Sequence, residues 1–171
     1  NHPDQWIESI SISNTKITDL EEPLHVEFSP QMNTIIGGRG SGKSSILRFL
    51  RGVFPKKVEE LKGLDTIHKE FEDFFSLYNK RNEKGVLAEG TVIEIVFHRK
   101  GEKLKIVSKH ISKNENTLDV FRFSNIKGDY QAIEEDPNEF IDLLGFDIFS
   151  QKQIYDIGTK TNSLRARIDE K

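Results

Sequence analysis

Apolar and polar residues alternate over the first part of the chain. The run from Trp6 to Ile12 is rich in β-branched residues, and a second alternating run from Leu24 to Phe28 ends at Ser29-Pro30. Side chains two positions apart lie on the same face of a β-strand, so each run predicts a half-buried strand. We expect a turn at Asn14-Thr15-Lys16 between them.

The next apolar runs have different periods. Asn33 to Ile36 is short and continuous, which is typical of a buried strand, whereas Ile46 to Arg51 has the three- and four-residue spacing of a helix. The helical spacing continues from Val58 to Tyr78 and is interrupted near Gly63. This segment predicts one or two amphipathic helices whose aromatic stripe faces the core.

Alternation returns in the second half of the chain. The runs Thr91 to His98 and Leu104 to Ile111 flank Lys100-Gly101-Glu102, a tight turn that can join only antiparallel neighbours. We therefore expect a hairpin appended to an antiparallel sheet rather than inserted into a parallel core. Leu118 to Phe123 predicts a further short strand.

Two helices are predicted towards the end of the sequence. Asp136 has the position of an N-cap for a helix from Pro137 to Leu144 that closes at Gly145. The segment Asn162–Lys171 is polar and compatible with a helix, with Ser163 as its candidate N-cap.

Composition narrows the class of protein. The chain has 171 residues, of which 31% are charged, a formal net charge of -3 and no cysteine. We expect one globular domain without a membrane segment, disulfides or thiolate metal sites, in a reducing compartment such as the cytoplasm. The net charge gives no global attraction to nucleic acid, so DNA would need a local basic patch. The candidate patch is the hairpin run Arg99, Lys100, Lys103, Lys105, Lys109 and Lys113.

A phosphate-binding motif follows the Asn33–Ile36 run. Gly37, Gly42, Lys43 and Ser44 occupy the four fixed positions of G-x-x-x-x-G-K-[ST]. Glycines let successive amides curl around a phosphate, and the following helix directs its positive end at the same anion. Lys43 supplies a cation for the outer phosphates and Ser44 a hydroxyl for Mg²⁺.

Other parts of a nucleotide-hydrolysing site are absent from the sequence. Most such enzymes carry a magnesium-binding carboxylate at the end of an apolar strand, and no run of four apolar residues after Lys43 is followed by Asp or Asp-Glu. A self-contained P-loop kinase or GTPase would need that carboxylate. A GTPase would also need an Asn-Lys-x-Asp base reader, and Asn79-Lys80-Arg81-Asn82 lacks the Asp. A non-catalytic nucleotide-dependent interaction module remains the other alternative.

The motifs together resemble the N-terminal lobe of ABC-class ATPase heads of the SMC, RecF and RecN type. The resemblance runs from Trp6 to Gln153 and includes Phe149-Ser150-Gln151, which matches the Q-loop of that family. Arg39 stands where many SMC proteins have Asn, which favours the TrlF-like bacterial ATPases, in which such a head follows a PHP phosphoesterase domain. The implied fold is α/β, a P-loop NTPase lobe with an antiparallel β subdomain and a mixed sheet.

The resemblance also implies a domain boundary. Residues 1–171 would form a single ATP-binding lobe that stops after the Q-loop. Residues 1–5 would be a linker or a tag remnant.

The resemblance implies a set of site residues for ATP and Mg²⁺. Gln151 would contact Mg²⁺ and the attacking water, with Gln153 as its competitor, and Lys16 would reach the α-phosphate or ribose. Lys43 and Gln151 are then the catalytic candidates, and Ser44 and Gln151 the metal ligands. The nucleotide-binding candidates are Lys16, Gly37, Gly38, Arg39, Gly40, Ser41, Gly42, Lys43, Ser44 and Ser45.

The implied activity is ATP binding, with hydrolysis in the complete protein, in DNA repair, DNA maintenance or phage defence. The implied partners are a C-terminal ATPase lobe, a second head joined in an ATP-dependent dimer, and DNA at the Arg99–Lys113 hairpin. We expect the 171-residue chain alone to be inactive.

Overall fold

The computed structural model describes residues 3–81, 83–112 and 115–159. This part of the chain forms one six-stranded sheet in the order β2-β1-β3-β4-β5-β6. The strands are β1 (Gln5–Thr15), β2 (Leu24–Glu27), β3 (Leu87–Arg99), β4 (Glu102–Ser112), β5 (Glu115–Ser124) and β6 (Asp129–Ala132). The helices are α1 (Lys43–Gly52), α2 (Pro55–Glu59), α3 (Asp65–Phe74), α4 (Pro137–Asp142) and α5 (Gln151–Thr159).

The core lies on one face of the sheet. Ile10 of β1 pairs with Ile95 of β3, which pairs with Ile106 of β4, which in turn pairs with Val120 of β5. All four side chains are buried, because the two-residue period of each strand places its apolar positions on the same face. The apolar residues of α1 and α4 belong to the same buried cluster, so these two helices cover this face.

The hairpin predicted from the sequence is confirmed, but its place in the fold is not the expected one. Lys100 (φ 48°) and Gly101 (φ 83°) both adopt the left-handed conformation between the paired residues Arg99 and Glu102, as in a two-residue type I′ turn. The hairpin is not an appendage, since β3 and β4 form the centre of the sheet. β3 pairs with β1 as well as with β4, and β4 pairs with β5 as well as with β3.

The mixed sheet expected from the sequence is not confirmed. All five pairings between the named strands are antiparallel, and the described parallel contact is an isolated bridge between Leu77 and Leu87. The described part of the chain is therefore α/β with an antiparallel sheet.

The predicted strand Asn33–Ile36 does not form. Ile35 is 39% exposed and Ile36 is 90% exposed. The Asn33 side chain instead closes a turn, in which its Oδ1 accepts from Ser29 N (2.8 Å) and its Nδ2 donates to Ser29 O (2.8 Å). An apolar run becomes a strand only where a neighbour supplies hydrogen bonds and cover, and the described residues supply neither.

The helices agree more closely with the sequence. The predicted interruption near Gly63 is confirmed, since α2 ends at Glu59 and α3 begins at Asp65. Asp136 caps α4 as predicted, because its Oδ1 accepts from Asn138 N (2.9 Å) and Glu139 N (3.1 Å), although α4 ends two residues before Leu144. The predicted helix at 162–171, its N-cap Ser163 and the basic residue Lys113 lie outside the described residues.

A polar cluster joins three strands on the outer face of the sheet. Glu8 of β1 accepts a hydrogen bond from Lys103 Nζ of β4 (2.8 Å) and lies 2.5 Å from His98 Nε2 of β3. The Trp6 ring stacks on His98 with centroids 4.4 Å apart. Burial alone would raise the pKa of Glu8, but the hydrogen bonds from Lys103 and His98 outweigh it and the pKa is lowered.

Replacement of Glu8 with Gln should therefore destabilise the fold in a pH-dependent way. A lowered pKa means that the contribution of Glu8 is complete above its unfolded value of about 4.5 and is lost as the pH falls through the folded value. Because the carboxylate is partly exposed, we expect a loss of about 0.5–1 kcal/mol at neutral pH and a smaller loss at about pH 3. Urea unfolding of the wild type and Glu8→Gln at the two pH values measures this difference in unfolding free energy. Glu115→Gln, which changes an exposed carboxylate, is the control. An equal loss at both pH values would contradict the assignment.

Candidate functional site

The glycine-rich segment turns sharply into α1. Gly40 and Gly42 both have φ of 81°, in the left-handed region, and Gly42 is the N-cap of α1. Ser45 N donates to Gly42 O (2.9 Å), which starts the helix. The first amides of any helix lack partners within the helix, so the loop directs donors and the positive end of the helix dipole towards one point.

Lys43 lies over the loop that precedes it. Its ammonium donates to the carbonyl oxygens of Gly37 and Gly38 (2.6 Å to Gly38) and to Ser41 Oγ (3.1 Å). A Cβ at Gly37 would lie 2.5 Å from Ser41 Oγ, so a side chain there would displace Ser41. The loop thus holds its own cation close to the amides that would receive a phosphate.

The two predicted metal ligands face the same cavity. Ser44, in the first turn of α1, and Gln151, in the first turn of α5, both line a cavity of about 180 Å³. Leu47 and Phe71 form part of its apolar wall. A hydroxyl and a carboxamide oxygen are hard donors of the kind that Mg²⁺ prefers, so the residues present fit the ion.

Gln153 has a different environment from Gln151. It is 5% exposed, and its Oε1 accepts from Ser150 N (2.8 Å) and Arg51 Nη2 (3.0 Å). Ser150 Oγ accepts in return from Gln153 N (3.2 Å), which makes a reciprocal capping box at the start of α5. The structure thus turns Gln153 inward and leaves Gln151 exposed at the cavity.

Charged residues that the sequence motifs did not identify surround the cavity. Glu70 of α3 forms an ion pair with Lys152 and lies 3.7 Å from the Arg48 guanidinium. Arg48 also lies over the Phe74 ring, 5.1 Å from its centroid. Two cations and one carboxylate therefore stand beside Ser44, an arrangement that favours an anion. In the sequence, the one indication of a basic helix face is the spacing of Arg48 and Arg51, which are three residues apart on α1.

The remaining predicted residues lie elsewhere. The Lys16 ammonium donates to Glu83 O (2.9 Å) and lies 4.4 Å from the centroid of the Tyr78 ring, so it is engaged with the segment before β3. Arg39 is exposed at the tip of the loop. Within residues 3–81, 83–112 and 115–159, no group of three or more His, Cys, Asp or Glu residues could hold a metal ion. None of the described helices is long and apolar enough to cross a membrane.

Comparison with known proteins gives two findings. A family model, AAA_23, described as an AAA domain, matches residues 9–170. The chain is also 26% identical over 155 residues to the structural maintenance of chromosomes protein 3 of Saccharomyces cerevisiae. The alignment covers 89% of this chain but only 12% of that protein.

The left-handed backbone at Gly42 should make this position intolerant of alanine. Nothing lies within 4 Å of a Cβ at Gly42 or at Gly38, but only Gly42 has a left-handed φ. We expect Gly42→Ala to cost about 1–2 kcal/mol of unfolding free energy from backbone strain and Gly38→Ala to cost close to nothing. Denaturant unfolding of the two variants measures this, and equal stabilities would show that the loop does not hold this geometry in solution.

Proposed function

The chain belongs to the AAA_23 family of AAA domains, and from this premise we propose that it binds ATP with Mg²⁺ as the N-terminal lobe of an SMC-like ABC ATPase head. The observation that carries the proposal is the shared cavity of Ser44 and Gln151, residues that are 107 positions apart in the sequence. A phosphate loop alone fits many nucleotide-binding proteins. A loop serine that shares a cavity with the Q-loop glutamine fits the ABC class.

Each residue of the site has a distinct role in this proposal. The amides at the start of α1 bind phosphate oxygens, and the Lys43 ammonium exchanges its loop carbonyls for the outer phosphates. The hydroxyl of Ser44 and the carboxamide oxygen of Gln151 hold Mg²⁺, which neutralises charge on those phosphates when bound. Gln151 also orients a water molecule at the end of the triphosphate.

We propose that hydrolysis requires a second lobe. The sequence offers no apolar strand that ends in a magnesium-binding carboxylate, and the chain spans 12% of the length of the relative it matches. The exposed segment Asn33–Ile36 is the candidate docking edge, since its backbone has no strand neighbour among the described residues. A C-terminal lobe that pairs with this segment would supply the missing carboxylate, and two such heads would close on ATP.

DNA contact at the hairpin stays a prediction. Two of its basic residues already have partners, since Lys103 donates to Glu8 and the Lys105 ammonium lies 4.3 Å from the centroid of the Tyr130 ring. Lys100 and Lys109 are exposed. DNA repair, phage defence, a TrlF-like arrangement with a PHP domain and a cytoplasmic location likewise remain hypotheses.

Removal of the Lys43 ammonium should weaken nucleotide binding. A charge-assisted contact to phosphate contributes about 1.5–3 kcal/mol, so Lys43→Ala should raise the Kd for a magnesium ATP analogue by roughly 10- to 100-fold. Isothermal titration calorimetry on the 171-residue chain measures it. Lys62→Ala, which removes an exposed lysine in the turn after α2, is the matched control. Equal affinity of the wild type and Lys43→Ala would refute the nucleotide site.

The isolated chain should bind ATP without turning it over. Phosphate release by the wild-type chain should be as low as that of Lys43→Ala. The phosphate loop, Ser44 and Gln151 do not supply all the groups that hydrolysis needs. Addition of a C-terminal lobe should restore turnover that rises with protein concentration. Steady turnover by the wild-type chain alone that disappears in Lys43→Ala would mean that the chain is a complete NTPase.

A further inference from the structure

A buried arginine connects the phosphate-loop helix to the Q-loop. Arg51, in the last turn of α1, is only 4% exposed. Its guanidinium donates to Ile148 O (2.5 Å), Lys57 O (2.9 Å) and Gln153 Oε1 (3.0 Å). Burial lowers the pKa of the guanidinium, while the charge of Glu60 acts in the opposite direction.

A buried charge of this kind is costly unless its hydrogen bonds are well satisfied, and here they go to backbone and side-chain oxygens rather than to a buried carboxylate. An aliphatic residue would fill the same space without the desolvation penalty of a buried charge. The position therefore suggests a role for the planar guanidinium, which can hold several acceptors in fixed directions at once.

The acceptors of Arg51 lie on both sides of Gln151. Ile148 precedes Gln151 by three residues and Gln153 follows it by two. Gln153 is in turn bonded to Ser150 through the capping box, so the backbone on either side of Gln151 is tied to one guanidinium. Gln151 itself stays exposed at the cavity.

Helix α1 connects this anchor to the phosphate site. Ser44 and Arg51 are seven residues apart on the same helix, about 10 Å at 1.5 Å per residue. The buried side chains of Ile46, Phe49 and Leu50 hold α1 in the core. One rigid element therefore carries Ser44 at one end and, through Arg51, the segment that carries Gln151 at the other.

We propose that Arg51 is a positioning residue that holds Gln151 opposite Ser44, so that the two oxygens bind Mg²⁺ together. This inference rests on the proposed function. The neighbouring ion pair between Glu70 and Lys152 also joins α3 to the Q-loop, but its side chains are 40% and 58% exposed, and exposed pairs contribute little. Arg51 is thus the main anchor.

The test separates metal coordination from nucleotide binding. Calorimetry measures the Kd of an ATP analogue for the 171-residue chain with Mg²⁺ and with EDTA, for the wild type, Arg51→Gln, Gln151→Ala and the double variant. Loss of a residue that orients a metal ligand typically weakens metal binding by about 10- to 100-fold. Arg51→Gln should bind the analogue in EDTA as tightly as the wild type does. The factor by which Mg²⁺ increases its affinity should be at least about tenfold smaller than in the wild type, and Gln151→Ala should show the same reduction. The double variant should lose no more than either single variant.

The controls make each outcome decisive. Lys56→Met should keep the gain from Mg²⁺, since it removes an equally exposed ion pair, with Asp142, that lies outside the cavity. Arg51→Lys keeps the charge and most of the volume but cannot hold Ile148 and Gln153 together, so it should lose the gain even if Arg51→Gln fails to fold. A folded Arg51→Lys or Arg51→Gln that keeps the full gain would overturn the inference. Absence of any ATP binding by the wild type would instead refute the proposed function.

Discussion

The packing of α1 into the apolar face of the sheet is the interaction on which the rest of the structure depends. Phe49 is fully buried in the cluster that contains Ile10 and Ile95, and its ring meets Phe74 edge to face at 5.2 Å. Glycine at position 52 lets the Phe75 ring approach, since a Cβ there would lie 2.2 Å from it. With α1 fixed in this way, the loop before it and the segment 148–153 bonded to its last turn have defined positions relative to each other.

The main role of the antiparallel sheet is to pack against this helix. Its inner face supplies the apolar surface, and the candidate site lies at the first turns of α1 and α5 rather than at the ends of strands. Helix α3 contributes Phe71 and Glu70 to the lining of the cavity.

Local patterns predicted much of this structure. The glycine spacing at 37–44, the tight turn at Lys100-Gly101-Glu102 and the Asp136 cap depend on backbone geometry that a few residues determine, and the last two are confirmed. The strand at 33–36 was wrong because a strand also needs a neighbour, which no local pattern reveals. The burial of Arg51 and Gln153 was not predicted for a similar reason, although Gln153 was considered as the competitor of Gln151. Their burial follows from hydrogen bonds between segments about one hundred residues apart, whereas their composition suggests a solvated helix face.

The central claim is that the phosphate loop and the start of α5 form one site for nucleotide and Mg²⁺. Hydrogen–deuterium exchange of the 171-residue chain, with and without a non-hydrolysable ATP analogue, tests it most directly. We predict that the analogue in EDTA protects amides at 37–46, that added Mg²⁺ extends the protection to 149–154, and that the β3–β4 turn is unaffected. Protection confined to the loop in the presence of Mg²⁺, or absent from it altogether, would contradict the account.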